Sequence, residues 1–405
     1  MNATKRPTLL VLDDDSSLAE TIASLATQVG FDSVVTTIAT DFKRELDARE
    51  PDVIVLDLQM PGMDGVEVLR YLSQRRCRSQ VLLVSGIDIR TLRSAAQYGE
   101  MSKLPMLGYL QKPFSPEEFV ARLSSANNER VGFTSEDLEE AVDRGELTVY
   151  FQPTVRFFAD QSWVVDSVEA LLRWNHPSRG CITPGSFIHL AAEPTLMRKI
   201  TDLVLLESIQ HIRNCDIRGL DLGLRVNVPT GLMNDLSVPD HIQRLLTEYE
   251  LEPERLTLEI SETASLTISP EMIDILTRFR VQGVGLALDD FGVGYSSLTL
   301  LARLPFNEMK IDTDLGRHIR ESAEARIMIA ALIDLAHNLN LTAIVEGVED
   351  RESADIVAEM GGDRAQGYFI SSPVPAGEID EALGSHGSRR VTDEPSDGAL
   401  GGMQA

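Results

Sequence analysis

The chain of 405 residues has little cysteine: Cys77, Cys181 and Cys215 stand far apart and form no CxxC pair. Neither a disulfide framework nor a zinc ribbon follows from that spacing. Long apolar runs are also missing. None approaches a membrane span, and the opening MNATKRP lacks the apolar core of a signal peptide. A cytoplasmic location without a membrane partner is therefore expected. Positive charge is scarce, with 37 Lys and Arg against 63 Asp and Glu, a net charge of −26. Nucleic-acid polymers and anionic lipid both require a basic face, so neither is expected as a partner. An anionic substrate would have to be attracted locally, by metal and a few cations. The remaining composition, 43% hydrophobic and 25% charged, is that of a folded globular chain. Its length allows two or three domains.

The first 123 residues alternate short apolar strands, expected at 8–12, 33–37, 52–57, 80–84 and 108–111, with amphipathic helices. Leu18, Ile22, Leu25 and Val29 line one face of the first helix, Gly30 stops it, and Ser17 with Glu20 is its expected capping box. Ser115-Pro116-Glu117-Glu118 reads as the capped start of a last helix. Five such βα units predict a doubly wound parallel sheet. The polar stretch at 124–132 reads as a linker. From 133 to 384 the alternation resumes in longer units. Strands are expected at 148–152, 165–172, 222–227, 255–260, 284–289, 308–311, 342–346 and 365–368. Helices are expected near 135–144, 193–213, 239–250, 270–282, 322–339 and 351–360. Eight strands fit a TIM-like (β/α)8 barrel, and residues 385–405 read as a disordered tail.

Six of the barrel segments end an apolar run on Glu169, Asn227, Glu259, Asp289-Asp290, Lys310 or Glu346. In a barrel of parallel strands these groups converge on one mouth. One ammonium cannot offset five carboxylates there, since each close pair repels by roughly 4 kcal/mol at an effective dielectric of about 20. Divalent cations must, and the set reads as a metal-dependent hydrolase. Without His or Cys among them, Mg²⁺ or Mn²⁺ suits the site better than zinc. Two such ions can clamp the attacking and leaving oxygens of a phosphodiester displacement. Singly, each residue has a plainer role: Asn227 can start a turn, Glu169 and Arg173 can pair, and Lys310 can be an edge charge. In the N-terminal domain, Asp13, Asp14, Asp57, Ser85 and Lys112 all follow strands and reach one crevice at the carboxyl edge of the sheet.

EALLRW at 169–174, RVNV, LTLEIS, LALDDFGVGYSSL, MKID, IVEGVE and QGYFISSPVP, in this order, resemble the EAL-domain cyclic di-GMP phosphodiesterases. The N-terminal set, with VLDLQMPGMDG and QKPF, resembles the receiver domain of two-component response regulators. The resemblance implies a response regulator that hydrolyses cyclic di-GMP to linear pGpG, or else a nonenzymatic receptor for that dinucleotide. It implies one cation on Glu169, Asn227, Glu259 and Asp289, and a second on Asp289 and Asp290 with Glu346 in reach. Lys310 would activate water, and Gln152, Arg173 and Gln366 would contact substrate. Glu262 would act through the loop at 291–298. In the receiver, Asp57 would accept the phosphoryl group, Asp13 and Asp14 would hold one Mg²⁺, Ser85 and Tyr109 would switch, and Lys112 would pair with the phosphoryl group. A sensor histidine kinase as phosphodonor and a homodimer or larger homo-oligomer are implied partners. Asn307, Pro229 and Val345 depart from the family pattern without removing a metal ligand, and SKLP at 102–105 lengthens the segment before Tyr109.

Overall fold

The computed structural model describes residues 6–60, 64–116, 118–120, 122–123, 133–160, 162–261, 268–292 and 298–384, with backbone alone at 217 and 384. Two units divide between Phe133 and Thr134. In the first, β1 (Thr8–Leu12), β2 (Asp32–Thr36), β3 (Val53–Leu56), β4 (Gln80–Ser85) and β5 (Met106–Gln111) form one sheet in the order β2-β1-β3-β4-β5. Every pairing is parallel. The central strands are buried on both faces, as helices α1 (Ser16–Gln28), α2 (Ala39–Ala48), α3 (Gly65–Gln74) and α4 (Ile89–Met101) require. Two apolar clusters result, one around Leu10, Phe42 and Leu69 and the other around Val11, Ile22 and Phe119.

The first helix is not capped by Ser17. Asp15 caps it, its carboxylate accepting from the Ser17 and Leu18 backbone amides at 3.0 and 3.2 Å. Asp and Ser are near-equal caps, and the shorter route from the end of β1 favours the earlier residue. The box at Ser115 does form: Glu118 donates its amide to Ser115 Oγ, and its carboxylate accepts from the Ser115 amide. The linker at 124–132 and the tail at 385–405 lie outside the described residues.

In the second unit, eight strands close a ring: β6 (Leu147–Phe157), β14 (Arg364–Gln366), β13 (Thr342–Val345), β12 (Glu308–Ile311), β11 (Gly285–Phe291), β10 (Leu256–Ser261), β9 (Gly223–Asn227) and β7 (Trp163–His176), which pairs back to β6. Short strands β8 (Gly180–Ile182) and β15 (Val374–Pro375) extend β7 and β6. The barrel is not wholly parallel as expected: β6 runs antiparallel to both β7 and β14. Residues 158–162 alone join β6 to β7, whereas a parallel crossover needs a dozen residues or more. Both strands also run well past their expected ends, so Glu169 lies inside β7 rather than at its end.

Alternation then sorts the side chains. Leu224, Val226, Leu258 and Ile260 face outward and are fully buried, in a wall that includes helices 194–217 and 323–338. On five of the strands the alternate set faces the axis and is polar: Ser167 and Glu169, Arg225 and Asn227, Thr257 and Glu259, Glu308 and Lys310, Arg364 and Gln366, with Ala287 and Ile344 in register beside them. Barrel interiors of this kind are usually filled by branched apolar residues. This one carries paired charges among them.

Candidate active site

Lys310 Nζ lies among four carboxylates, at 2.7 Å from Glu259, 2.7 Å from Glu346, and 3.2 Å from both Glu169 and Asp289. Its side chain is 1% exposed. Burial opposes its charge, but the pull of Asp289, Glu169, Glu259 and Glu346 outweighs this and holds its pKa well above the ordinary lysine value. Glu169 is further fixed by the side-chain amides of Asn227 and Gln366, each donating at 2.7 Å. Burial works against its charge too, yet Lys310 and these amides keep its pKa below the ordinary carboxyl value. Glu259 and Asp289 go the other way, raised by burial and by neighbouring carboxylates. Burial also lifts Glu346 from 4.5 to about 7. One ammonium leaves this group of acids short of positive charge, and burial with mutual repulsion raises three of the four.

Adjacent residues on a regular strand face opposite ways, so Asp289 and Asp290 could not both reach the mouth. A bulge resolves this. Leu288 pairs with Met309 and Phe291 with Ile311, leaving two aspartates opposite Lys310. Asp290 takes φ +59° and its carboxylate accepts from Ser261 Oγ at 2.9 Å. Carboxylate oxygens of Asp289, Asp290 and Glu346 then lie within 4.8 Å of one another. Glu346, just beyond β13, accepts from Thr313 Oγ1 at 3.0 Å. A Cβ at Gly316 would fall on the Glu346 carbonyl oxygen, and Gly347 holds φ +72° against the Thr313 backbone. These two glycines let helix 313–317 sit close enough to place that carboxylate.

Gln366 also donates to Gln152 Oε1 at 3.0 Å, and Gln152 donates to the Ser371 carbonyl. A cavity of about 290 Å³ opens over the cluster, lined among others by Gln152, Glu169, Asp289, Lys310, Glu346 and Tyr368. Arg173 is set apart. Its guanidinium lies over the Tyr150 ring, 5.6 Å from the centroid, and donates to the Leu172 carbonyl. Glu262 and residues 293–297 of the expected loop lie outside the described residues. Asn307 accepts from the Leu286 amide at 2.6 Å and so fastens β11 to β12. Missed by the sequence reading were Arg225 and Glu308, buried beneath the cluster, and the rim pair Arg317–Glu349 at 2.9 Å.

In the N-terminal unit, Lys112 Nζ bridges Asp13 and Asp57 at 2.8 and 2.7 Å. Burial lowers the lysine pKa, but hydrogen bonds to the two acids carry it above the ordinary value; burial raises Asp13. Asp57 also accepts from the Gln59 amide, and oxygens of Asp13, Asp14 and Asp57 lie within 4.8 Å of one another. Ser85 Oγ is buried without a hydrogen-bond partner. The Tyr109 hydroxyl accepts from Arg93 at 3.2 Å.

A family model for the EAL domain matches residues 135–373. The chain belongs to the EAL-domain family. A model for the response regulator receiver domain matches residues 9–124, so a receiver domain precedes the EAL domain. Cyclic di-GMP phosphodiesterase RocR of Pseudomonas aeruginosa is 32% identical over 80% of this chain and 84% of its own length. The bifunctional diguanylate cyclase/cyclic di-GMP phosphodiesterase MucR of the same organism is 34% identical over 60% of this chain. The match spans only 35% of MucR. The solved PaMucR phosphodiesterase in complex with c-di-GMP aligns with a TM-score of 0.56 at 33% identity, covering 60% of this chain and 98% of that one. An EAL domain protein from Listeria monocytogenes aligns at 0.54 and 26% identity, over 63% and 99%. No described helix is long and apolar enough to cross a membrane.

Proposed function

We propose that the chain hydrolyses cyclic di-GMP to linear pGpG at the barrel mouth, and that phosphorylation of Asp57 modulates the rate. The observation that carries this reading is Lys310, buried among four carboxylates at the mouth of an EAL-family barrel. The activity named for RocR and MucR supports the choice of substrate. The donor set fits hard divalent cations, Mg²⁺ or Mn²⁺: it is oxygen throughout, and Asp289 Oδ1 is buried with no hydrogen bond beside its ion pair. Glu169, Asn227, Glu259 and Asp289 would hold one ion; Asp289, Asp290 and Glu346 would hold the second. Such ions, when bound, neutralise phosphoryl oxygens and make water acidic enough to attack.

The side chains do the rest. Lys310, kept protonated, orients the attacking water, and the Glu346 carboxylate beside it can take that water's proton. The new bond forms from water oxygen to phosphorus as the bond from phosphorus to one ribose 3′ oxygen breaks. The departing oxygen takes up a proton, which leaves a 5′-phosphate and a 3′-hydroxyl. Gln366 orients Glu169, Gln152 holds Gln366, both line the cavity, and Arg173 offers a forked donor to a phosphate. Glu262 would support the loop beyond Phe291. In the receiver, Asp13 and Asp14 would hold one Mg²⁺ and a sensor histidine kinase would supply the phosphoryl group. Lys112 and Ser85 would then meet that group, and Tyr109 would respond. A cytoplasmic homodimer or larger homo-oligomer is the working form under this reading. Incubation with cyclic di-GMP and Mg²⁺ should yield pGpG first, and chelator should stop it. Undiminished product in excess chelator would falsify the metal assignment.

A further inference from the structure

Beneath the mouth, the barrel axis carries a ladder of alternating charge. Arg225 lies opposite Thr257, one interior layer below the paired Asn227 and Glu259. Its Nη1 donates to Glu259 Oε1 at 3.3 Å and lies 2.6 Å from Glu308; its Nε donates to Ser167 Oγ at 3.2 Å. Glu308 accepts from Arg364 at 2.9 Å, and Arg364 reaches Asp166 at 3.1 Å. Arg225 and Glu259 are 2% and 0% exposed.

We propose that Arg225 is a positioning residue for the cation site: from below it holds Glu259 Oε1, so that Oε2 alone is presented to the mouth. The proposal rests on the reading that Glu259 binds a divalent cation. The terminal torsion of a glutamate is soft, and a carboxylate held at one edge only can swing. Here Glu259 is gripped at both edges, by Arg225 on Oε1 and by Lys310 on Oε2 at 2.7 Å. Lys310 Nζ occupies the side on which a cation would arrive, so the lower grip is the one that persists when a cation displaces it. Arg225 can serve in this way because buried Glu308 and the half-buried Arg364 and Asp166 pair each successive charge down the axis. Nη1 reaches both Glu259 and Glu308 while Nε is held by Ser167 Oγ, a fixed planar set of donors that suits arginine better than lysine.

Charge alone gives the opposite sign. Removing a positive group from beneath a cation site should tighten cation binding, whereas removing the support of a ligand typically weakens it by about 10–100-fold. The experiment titrates Mn²⁺ into the full chain without substrate, read by electron paramagnetic resonance of the free ion. Thermal midpoints are followed in parallel. Glu259→Gln tests the underlying reading and should weaken Mn²⁺ strongly; unchanged binding there overturns that reading and the proposal with it. With Glu259→Gln weakened, Arg225→Met should raise the Mn²⁺ Kd by about tenfold or more, and Arg225→Lys should recover part of the loss. Arg225→Met binding Mn²⁺ as well as wild type, or more tightly, overturns the positioning role alone. So does an Arg225→Lys variant that recovers nothing. Should Arg225→Met not fold, Arg225→Met/Glu308→Gln removes the charges as a pair and takes the same readings.

Discussion

Replacing Lys310 by Met removes the one ammonium of the cluster while keeping the bulk of the side chain. Its Nζ makes four ion pairs of 2.7–3.2 Å. At an effective dielectric of about 20, each is worth roughly 5 kcal/mol of gross attraction. Repulsion among the acids and the cost of burying them cancel most of that sum. Breaking a buried ion pair by removing one partner costs a net ~3–5 kcal/mol, part of which proton uptake by the acids will relieve. For a barrel of this size, 2–4 °C per kcal/mol converts that loss to roughly 6–20 °C. Divalent cations should substitute for the missing charge. A cation at a hundred times its Kd returns about 2.7 kcal/mol, and the variant, with one fewer positive group to repel it, should bind cations more tightly than wild type. The penalty on the barrel transition should therefore be large in chelator and small in saturating Mn²⁺, measured by scanning calorimetry. Turnover should stay about 10²–10³ lower even in Mn²⁺. An equal penalty with and without Mn²⁺ would refute the idea that Lys310 and cations neutralise the same acids.

In chelator, Glu346 should make wild-type stability pH-dependent: its carboxyl binds a proton more tightly folded than unfolded, so its contribution is full below 4.5 and is lost as pH rises through about 7. That span is worth about 3 kcal/mol; urea titrations across pH should show a shallower decline in Glu346→Gln, and parallel curves would remove the effect. Glu169→Ala and Asp289→Asn should each lower turnover about 10²–10³-fold with unchanged circular dichroism; wild-type turnover in either would take that residue out of the site. Beryllofluoride should change the rate of wild type and leave Asp57→Asn and Lys112→Ala unmoved, and identical rates in all samples, with binding confirmed in wild type, would detach the receiver from turnover. Light scattering should show a dimer or larger assembly at micromolar concentration; a fully active monomer would count against self-association.

The eight barrel strands were legible because each is an apolar run between turn signals, and each mouth residue was legible as the polar group near its end. Direction was not legible. An apolar run reads the same in either sense, and only the lack of a helix between β6 and β7 hinted at a hairpin. The pairing of Asp289 with Asp290 could be noticed but not explained, because a bulge leaves no mark when the residue at positive φ is Asp instead of Gly. Arg225 and Glu308 were missed for a related reason: single charges at alternate strand positions read as a solvated face. Closure of the sheet turns that face inward, where Arg225 meets Glu259 on the next strand and Glu308 from a strand distant in sequence. The receiver set was easier, since in a parallel sheet the strand ends share one edge.

The reversed course of β6 also decides where the polypeptide enters the barrel. Leu147, its first residue, pairs with Trp174 beyond Glu169, while Phe157 sits at the far floor. The chain therefore comes in at the rim that substrate must cross, rather than at the blind end, as an all-parallel barrel would have it. A segment spliced ahead of Ser135 is leashed to that rim through one short helix, 135–143, about 14 Å long. A fusion meant to leave the doorway clear belongs elsewhere on the barrel surface.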